Sequence, residues 1–170
     1  MVNNTAIFTP YTSIEEKIRL AKKLYLMREK ILDMEIKKLL LELDKSIQES
    51  KTIMDETGIT DACKECGEFS CCGKGIEERF EVSTLLINLL LGVELSKGDA
   101  EGCYFLTRSG CSLKAREVIC VNYLCEKIYQ KLKPEDLITV QEICGRELDI
   151  LFLLSERIKK KIRKILEVEG

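Results

Sequence analysis

The sequence predicts an all-α fold, or one that is nearly so, with long helices at both ends of the chain. Leu, Ile, Glu and Lys are abundant, whereas Trp is absent and Pro occurs twice, a composition that favours helices. Apolar residues recur at spacings of three and four near both ends, as one face of a helix requires. The 170 residues suit a single domain over 1–170.

A long N-terminal helix is predicted over residues 13–57. Ser13 and Glu16 have the spacing of a capping pair at its start, and Gly58 is a natural stop. No Gly or Pro interrupts the run. A single helix of this length would extend about 65 Å at about 1.5 Å per residue, more than a compact domain of this size covers. The helix therefore either breaks, or pairs with another long helix or another subunit.

The middle of the chain, residues 59–126, is rich in cysteine and predicts shorter elements. The elements predicted for this region and the few residues after it are a loop (59–75), a helix (77–91), a turn-rich connector (96–102), a small hairpin or irregular loop (103–115) and one or two short helices (116–132).

The last predicted helix covers residues 134–167. Pro134 suits the first turn of a helix, and apolar residues from Leu137 to Ile165 form one stripe along it. The two long helices are expected to pack as an antiparallel pair, with the cysteine segment between or beside them.

Cysteine is the residue type that carries the chemistry of this chain, since eight of the nine cysteines form two groups of four and histidine is absent. The groups are Cys63, Cys66, Cys71 and Cys72, followed by Cys103, Cys111, Cys120 and Cys125. Thiolates select zinc, copper(I) or iron–sulfur clusters, and a C-x-x-C segment is a common unit of such sites. We therefore predict that these eight thiolates hold metal, in two four-sulfur sites or in one site plus an exposed delivery site.

The spacing leaves the metal open between an iron–sulfur cluster and zinc. A zinc ribbon would have two C-x-x-C knuckles, but the second group has C-x7-C and C-x4-C spacings, which slightly favours a cluster of the 4Fe–4S type. The two-cluster ferredoxin spacing is absent from the sequence. An odd number of cysteines fits a disulfide framework poorly, and a reducing compartment would oppose one.

The cysteine pattern resembles that of the YkgJ-type cysteine-cluster proteins, described as a zinc- or iron-chelating domain. All eight cysteines match in register over about residues 60–126, together with Arg116 and the aromatic pair Tyr104 and Phe105. Glu117 and Val121 stand where the family usually has proline and arginine, which leaves the ligands in place. The resemblance implies metal chelation. A related domain occurs in a flagellin lysine methylase that looks iron–sulfur dependent, so the resemblance also allows a redox or modification role.

Other residues near these motifs have plainer explanations. Cys144 lies in the apolar stripe of the last helix and is expected to be a core thiol. Arg116 either pairs with the thiolates and offsets their charge, or is an ordinary surface arginine. The basic run over residues 157–164 is expected to complement the dipole of a helix end rather than to bind RNA.

Composition and charge limit which partners and which cellular compartment are expected. The net charge of −2 gives no field that would attract nucleic acid or an anionic membrane, so neither is expected as a partner. The most apolar window, over residues 85–93, is too short to span a bilayer. The N-terminus does not read as a signal peptide, so a cytoplasmic location is expected.

Three functional hypotheses remain open from the sequence. The first is a protein that holds an iron–sulfur cluster or zinc, with a redox or metal-delivery role. The second is a structural zinc module whose long helices recruit a protein partner or form a homodimer. The third is a cluster-dependent transferase that acts on protein or RNA, and the sequence does not decide whether the protein is an enzyme.

Overall fold

A computed structural model describes residues 13–65, 73 and 75–168, and the fold of this part of the chain is nearly all-α, as predicted. The α-helices are α1 (Ile14–Leu26), α2 (Arg28–Ile31), α3 (Met34–Glu56), α4 (Ile59–Lys64), α5 (Val82–Leu90), α6 (Val118–Asn122), α7 (Glu126–Lys131) and α8 (Pro134–Val168). A 3-10 helix covers Ile76–Arg79. Two short strands, β1 (Leu106–Thr107) and β2 (Gly110–Cys111), form an antiparallel hairpin.

The two longest helices, α3 and α8, pack against each other in opposite directions. Arg157 forms an ion pair with Glu35, near the start of α3. Arg146, earlier in α8, lies 3.8 Å from Glu49, near the end of α3. Because residue numbers rise along one helix as they fall along the other, the pair is antiparallel, as the sequence predicted. The predicted end helix, 134–167, agrees with α8 within one residue.

The helix predicted over residues 13–57 is not continuous: of the alternatives that its length left open, the structure shows the break, and it divides the segment into α1, α2 and α3. Ser13 caps the start as expected, accepting from the Glu16 N–H at 3.3 Å. The backbone then leaves the helical conformation at Leu32, and the Asp33 carboxylate accepts from the Ile36 N–H at 3.0 Å. Asp is a strong N-cap, so the chain starts a new helix here rather than continuing the old one. The breaks let the N-terminal segment fold back along α5 and α8.

Helix α5 is the centre of the larger apolar core. Its side chains are apolar on most sides, which is typical of a helix buried all round. Leu85, Leu86 and Ile87 are fully buried, and the helix packs between α1 and α8. A second, smaller core lies where α4, α6 and α7 meet the ends of α3 and α8, and its buried members are Met54, Ile59, Val121, Leu124, Ile128, Val140 and Cys144.

The cysteine-rich middle follows its predicted outline with two corrections. The helix predicted over 77–91 is divided into the 3-10 helix Ile76–Arg79 and α5, because the backbone is extended at Phe80 and Glu81. The hairpin expected within residues 103–115 is present, with Leu106 opposite Cys111, and the expected short helices are α6 and α7. The start of the segment predicted as a loop over 59–75 is instead helical, as α4, which begins directly after the left-handed Gly58. Within the described ranges, no helix has both the length and the hydrophobicity to cross a bilayer.

Candidate metal site

Three of the predicted ligands, Cys103, Cys111 and Cys120, line a single small pocket, here called the thiol pocket. Cys103 precedes the hairpin, Cys111 lies in β2 and Cys120 lies in α6. The volume of the pocket is about 30 Å³, which matches the share of one water molecule in the liquid. Its other lining residues are Ile76, Phe80, Leu106 and Arg116.

Burial holds two of these thiols in their protonated form when no metal is present. Desolvation raises the pKa of Cys103 to about 11, against the opposing effect of a hydrogen bond from the Phe105 backbone. Desolvation also raises the pKa of Cys111, which lines the same pocket, although that residue as a whole is exposed. A metal that binds here must therefore displace protons, which makes its affinity depend on pH.

Two charged side chains near the thiol pocket have opposite effects on the pKa values of its thiols. Arg116 lines the pocket, and its charge lowers the pKa of Cys111. The Glu77 carboxylate lies close enough to Cys103 to raise the pKa of that thiol further. Of the two roles that the sequence left open for Arg116, this position fits the one in which a cation offsets thiolate charge.

The remaining described ligands, Cys63 and Cys125, do not line the thiol pocket, and Cys63 is exposed. Cys63 is in α4, and Cys125 directly precedes α7 and packs against the smaller core. Helices α4 and α7 contact each other, which brings these two segments together. The structure therefore separates Cys63 and Cys125 from the three cysteines that line the thiol pocket.

Cys66, Cys71 and Cys72 lie outside the described residues. Among the residues that are described, no group of three or more Cys, Asp or Glu side chains, the three pocket cysteines included, is arranged so that it could hold a metal ion. The six described cysteines are all thiols, and none of the six is joined in a disulfide bond. Cys144 is one of them, and it is buried in the smaller core, as its place in the apolar stripe predicted.

The donor chemistry of the thiol pocket fits a thiophilic metal. Three cysteines line a largely apolar pocket, and soft thiolate donors suit zinc and iron–sulfur clusters alike. Four-coordinate sites require one further ligand beyond these three thiols.

The sequence interpretation missed two polar residues that shape this region. Asn88 is fully buried in α5 and hydrogen-bonds the segment that leads to Arg116. Glu147 is fully buried in α8, and neither of its carboxylate oxygens has a hydrogen-bond partner among the described residues. The only sequence signal for Asn88 was a poor helix former within an otherwise apolar helix. Glu147 gave no signal, because its position in a charged helix resembles a surface site.

Comparison with known proteins finds no family model, no curated protein and no solved structure that matches this chain. The resemblance to the YkgJ-type proteins stays a prediction that depends on the spacing of the eight cysteines.

Proposed function

We propose that this is a metal-binding protein whose cysteine thiolates hold an iron–sulfur cluster or zinc. The observation that supports the proposal most directly is the thiol pocket, whose lining includes Cys103, Cys111 and Cys120, from three separate segments of the chain. Thiols that line one apolar pocket suit a thiophilic metal, since soft thiolate donors select such ions.

The residues around the pocket would each contribute to holding the metal. The three thiols release their protons and bind as thiolates, and Ile76, Phe80 and Leu106 exclude water. Arg116 supplies a positive charge that offsets the thiolates. A bound cluster would supply one-electron redox chemistry, whereas zinc would supply a structural cross-link.

The sequence positions of the first cysteine group bear on how the eight thiolates divide between sites. Ile76, in the wall of the thiol pocket, follows Cys72 by four residues, and Cys63 precedes Cys66 by three. The first cysteine group is thus connected at one end to the thiol pocket and at the other to the segment near Cys125. This connectivity supports a division of the eight thiolates between two neighbouring sites.

Anaerobic purification followed by elemental analysis and a visible spectrum tests the proposal. A brown protein with bound iron and sulfide would identify a cluster, and a colourless protein with stoichiometric zinc would identify the other metal. Protein that is folded, carries neither metal and has all its thiols open to alkylation would refute the proposal.

Single substitutions locate the metal. Cys103→Ser, Cys111→Ser and Cys120→Ser are each expected to lower the metal content of the purified protein. Cys144→Ala is the matched control, because Cys144 is a buried cysteine of the smaller core and should leave the metal content unchanged. Equal metal loss in all four variants would indicate a general effect on folding rather than a ligand role.

A structural zinc module that binds a protein partner or a second copy through its helices is the second candidate. Leu41 in α3 is 75% exposed and Phe152 in α8 is 65% exposed, so both long helices present large apolar side chains to the surface. Light scattering would distinguish the candidates, since a homodimer that is lost in a Phe152→Ser variant would favour this one. A cytoplasmic location, where thiols stay reduced, suits both candidates.

A further inference from the structure

Glu147 is a carboxyl group that the protein buries without a hydrogen-bond partner. The residue lies in α8 and is fully buried, and neither of its side-chain oxygens has a partner among the described residues. Ser50, fully buried in α3, has a hydroxyl oxygen in the same condition. Buried polar atoms without partners are uncommon and costly, so packing alone does not explain a carboxyl group at this position.

The surroundings of Glu147 contain few charges. The buried residues of α2, α3, α5 and α6, which pack against α8, are all uncharged. Arg146 and Asp149, its charged neighbours in α8, are exposed. Cys144, one turn earlier in α8, is a thiol whose pKa is raised by burial, so it stays neutral near neutral pH. The charge that acts on Glu147 from elsewhere in the described chain is that of Arg116.

Arg116 therefore acts on two acidic groups at once, one in the thiol pocket and one in α8. Burial raises the pKa of both Cys111 and Glu147, and the positive charge of Arg116 lowers both. Arg116 also lines the thiol pocket, so charge that develops in the pocket competes with Glu147 for the same guanidinium group.

Metal binding changes the charge of the thiol pocket. Without metal the pocket thiols are neutral, since burial raises the pKa of Cys103 to about 11 and also raises that of Cys111. Three thiolates around one divalent ion carry a net charge of about −1, and a fourth thiolate makes the site more negative. A negative site draws on the charge of Arg116, and a nearby negative charge favours the protonated form of a carboxyl group.

We propose that Glu147 is the proton acceptor that compensates the charge of the metal site: it takes up one proton when the pocket thiols become metal-bound thiolates, and releases it when the metal leaves. Each thiol loses one proton on binding metal, and Glu147 takes up one, so the solvent gains one proton fewer than the number of thiols bound. By linkage, loss of the proton from Glu147 weakens metal binding by the same factor. The inference rests on the proposed function and adds a proton to it that no ligand carries.

The affinity of the reduced, metal-free protein for Zn²⁺, measured by competition with a chelator from acidic to weakly alkaline pH, tests the proposal. Glu147→Gln is neutral at every pH, so it should match wild type in acid and bind Zn²⁺ at least about fivefold more tightly at alkaline pH. Glu142→Gln, exposed on the same helix, should match wild type throughout. A ratio of affinities that is the same at every pH would overturn the inference and leave the proposed function standing. Wild type that binds no Zn²⁺ would overturn the inference and leave only the cluster form of the proposed function.

Infrared difference spectra of wild-type protein follow the same proton without a variant of Glu147. The carbonyl stretch of a protonated, buried carboxyl group is titrated with pH, and its midpoint should lie at a higher pH with Zn²⁺ bound than without metal. The shift should persist in Glu117→Gln, which lacks the other described carboxyl group whose pKa is raised by burial. Because these measurements need no change at Glu147, they decide the matter even if Glu147→Gln fails to fold. Equal midpoints with and without Zn²⁺ would overturn the inference.

Discussion

Asn88 holds Ala115 through both ends of its side-chain amide. Its Oδ1 accepts from the Ala115 N–H at 3.1 Å, and its Nδ2 donates to the Ala115 carbonyl at 2.8 Å. The same Oδ1 also accepts from the Lys114 N–H at 2.9 Å. Both Asn88 and Ala115 are fully buried. These contacts fix the backbone immediately before Arg116, one of the residues that line the thiol pocket.

Asn88→Leu is expected to destabilise the protein by about 2–4 kcal/mol. The substitution leaves two buried N–H groups and a carbonyl unsatisfied, each at a cost of about 1–3 kcal/mol before relaxation. Urea unfolding would measure the loss, and elemental analysis should show a lower metal content because the chain before Arg116 loosens. Asn122→Leu, at an exposed position, is the control and should change stability by less than about 0.5 kcal/mol. Equal stability of the two variants would contradict a bracing role for Asn88.

The regular helices of this chain could be predicted because their signals are local. Pro134 and the apolar stripe that follows it define α8 from sequence alone. The position of the break before α3 could not be predicted in the same way, since Asp33 is one of many charged residues in a run whose apolar spacing is helical. Its effect depends on a cap hydrogen bond to Ile36, which the residue type permits but does not require.

The site was less predictable than the fold, because the meeting of thiols depends on tertiary packing. The sequence identified the eight cysteines, but their spacing did not show that Cys120 would join Cys103 while Cys125 would lie at the smaller core. That division follows from the position of α6, which packs against α8 and contributes Cys120 to the thiol pocket and Val121 to the smaller core.

Glu147 is expected to make the protein less stable as the pH rises through the weakly acidic range. Burial raises the pKa of this carboxyl group above its value in the unfolded chain, although the charge of Arg116 opposes the shift. The folded state therefore binds more protons between the two pKa values, and the free energy of unfolding falls with rising pH, by at most about 1.4 kcal/mol per pH unit for one group.

Glu147→Gln removes that titration, so its stability relative to wild type should increase from pH 4 towards neutral pH. Urea unfolding at a series of pH values measures the difference. Glu142→Gln, at an exposed position of the same helix, should show no such trend. A pH-independent difference between Glu147→Gln and wild type would show that the carboxyl group does not titrate differently on folding.

Asp33→Ala is expected to cost about 1 kcal/mol, the usual value of an N-cap. The hydrogen bond from the Ile36 N–H lowers the pKa of Asp33, and Lys161, 3.3 Å away, acts in the same direction. A lowered pKa stabilises the folded state above the unfolded value of about 3.9, and that contribution is lost as the pH falls through the folded pKa. The variant should therefore differ from wild type at pH 7 and approach it in strong acid, as thermal unfolding would show. Asp55→Ala, exposed near the end of α3, serves as the control.

Gly98 and Gly145 are expected to respond in opposite ways to substitution by alanine. A Cβ atom at Gly98 would lie 1.8 Å from the carbonyl oxygen of Leu106, so β1 would have to shift. Leu106 lines the thiol pocket, and Gly98 also donates a backbone hydrogen bond to Tyr104 at 2.8 Å. Gly98→Ala should therefore destabilise the protein by about 1–3 kcal/mol, as overpacking does, and lower its metal content.

Gly145 lies inside α8, and a Cβ atom there would meet no other atom within 4 Å. Gly145→Ala should stabilise the protein by about 0.5–1 kcal/mol, because alanine loses less conformational entropy in a helix. Its metal content should equal that of wild type, since the smaller core is left intact. Urea unfolding and elemental analysis of both variants test the pair. Normal metal content in Gly98→Ala would show that the thiol pocket does not depend on the close approach of residues 98 and 106.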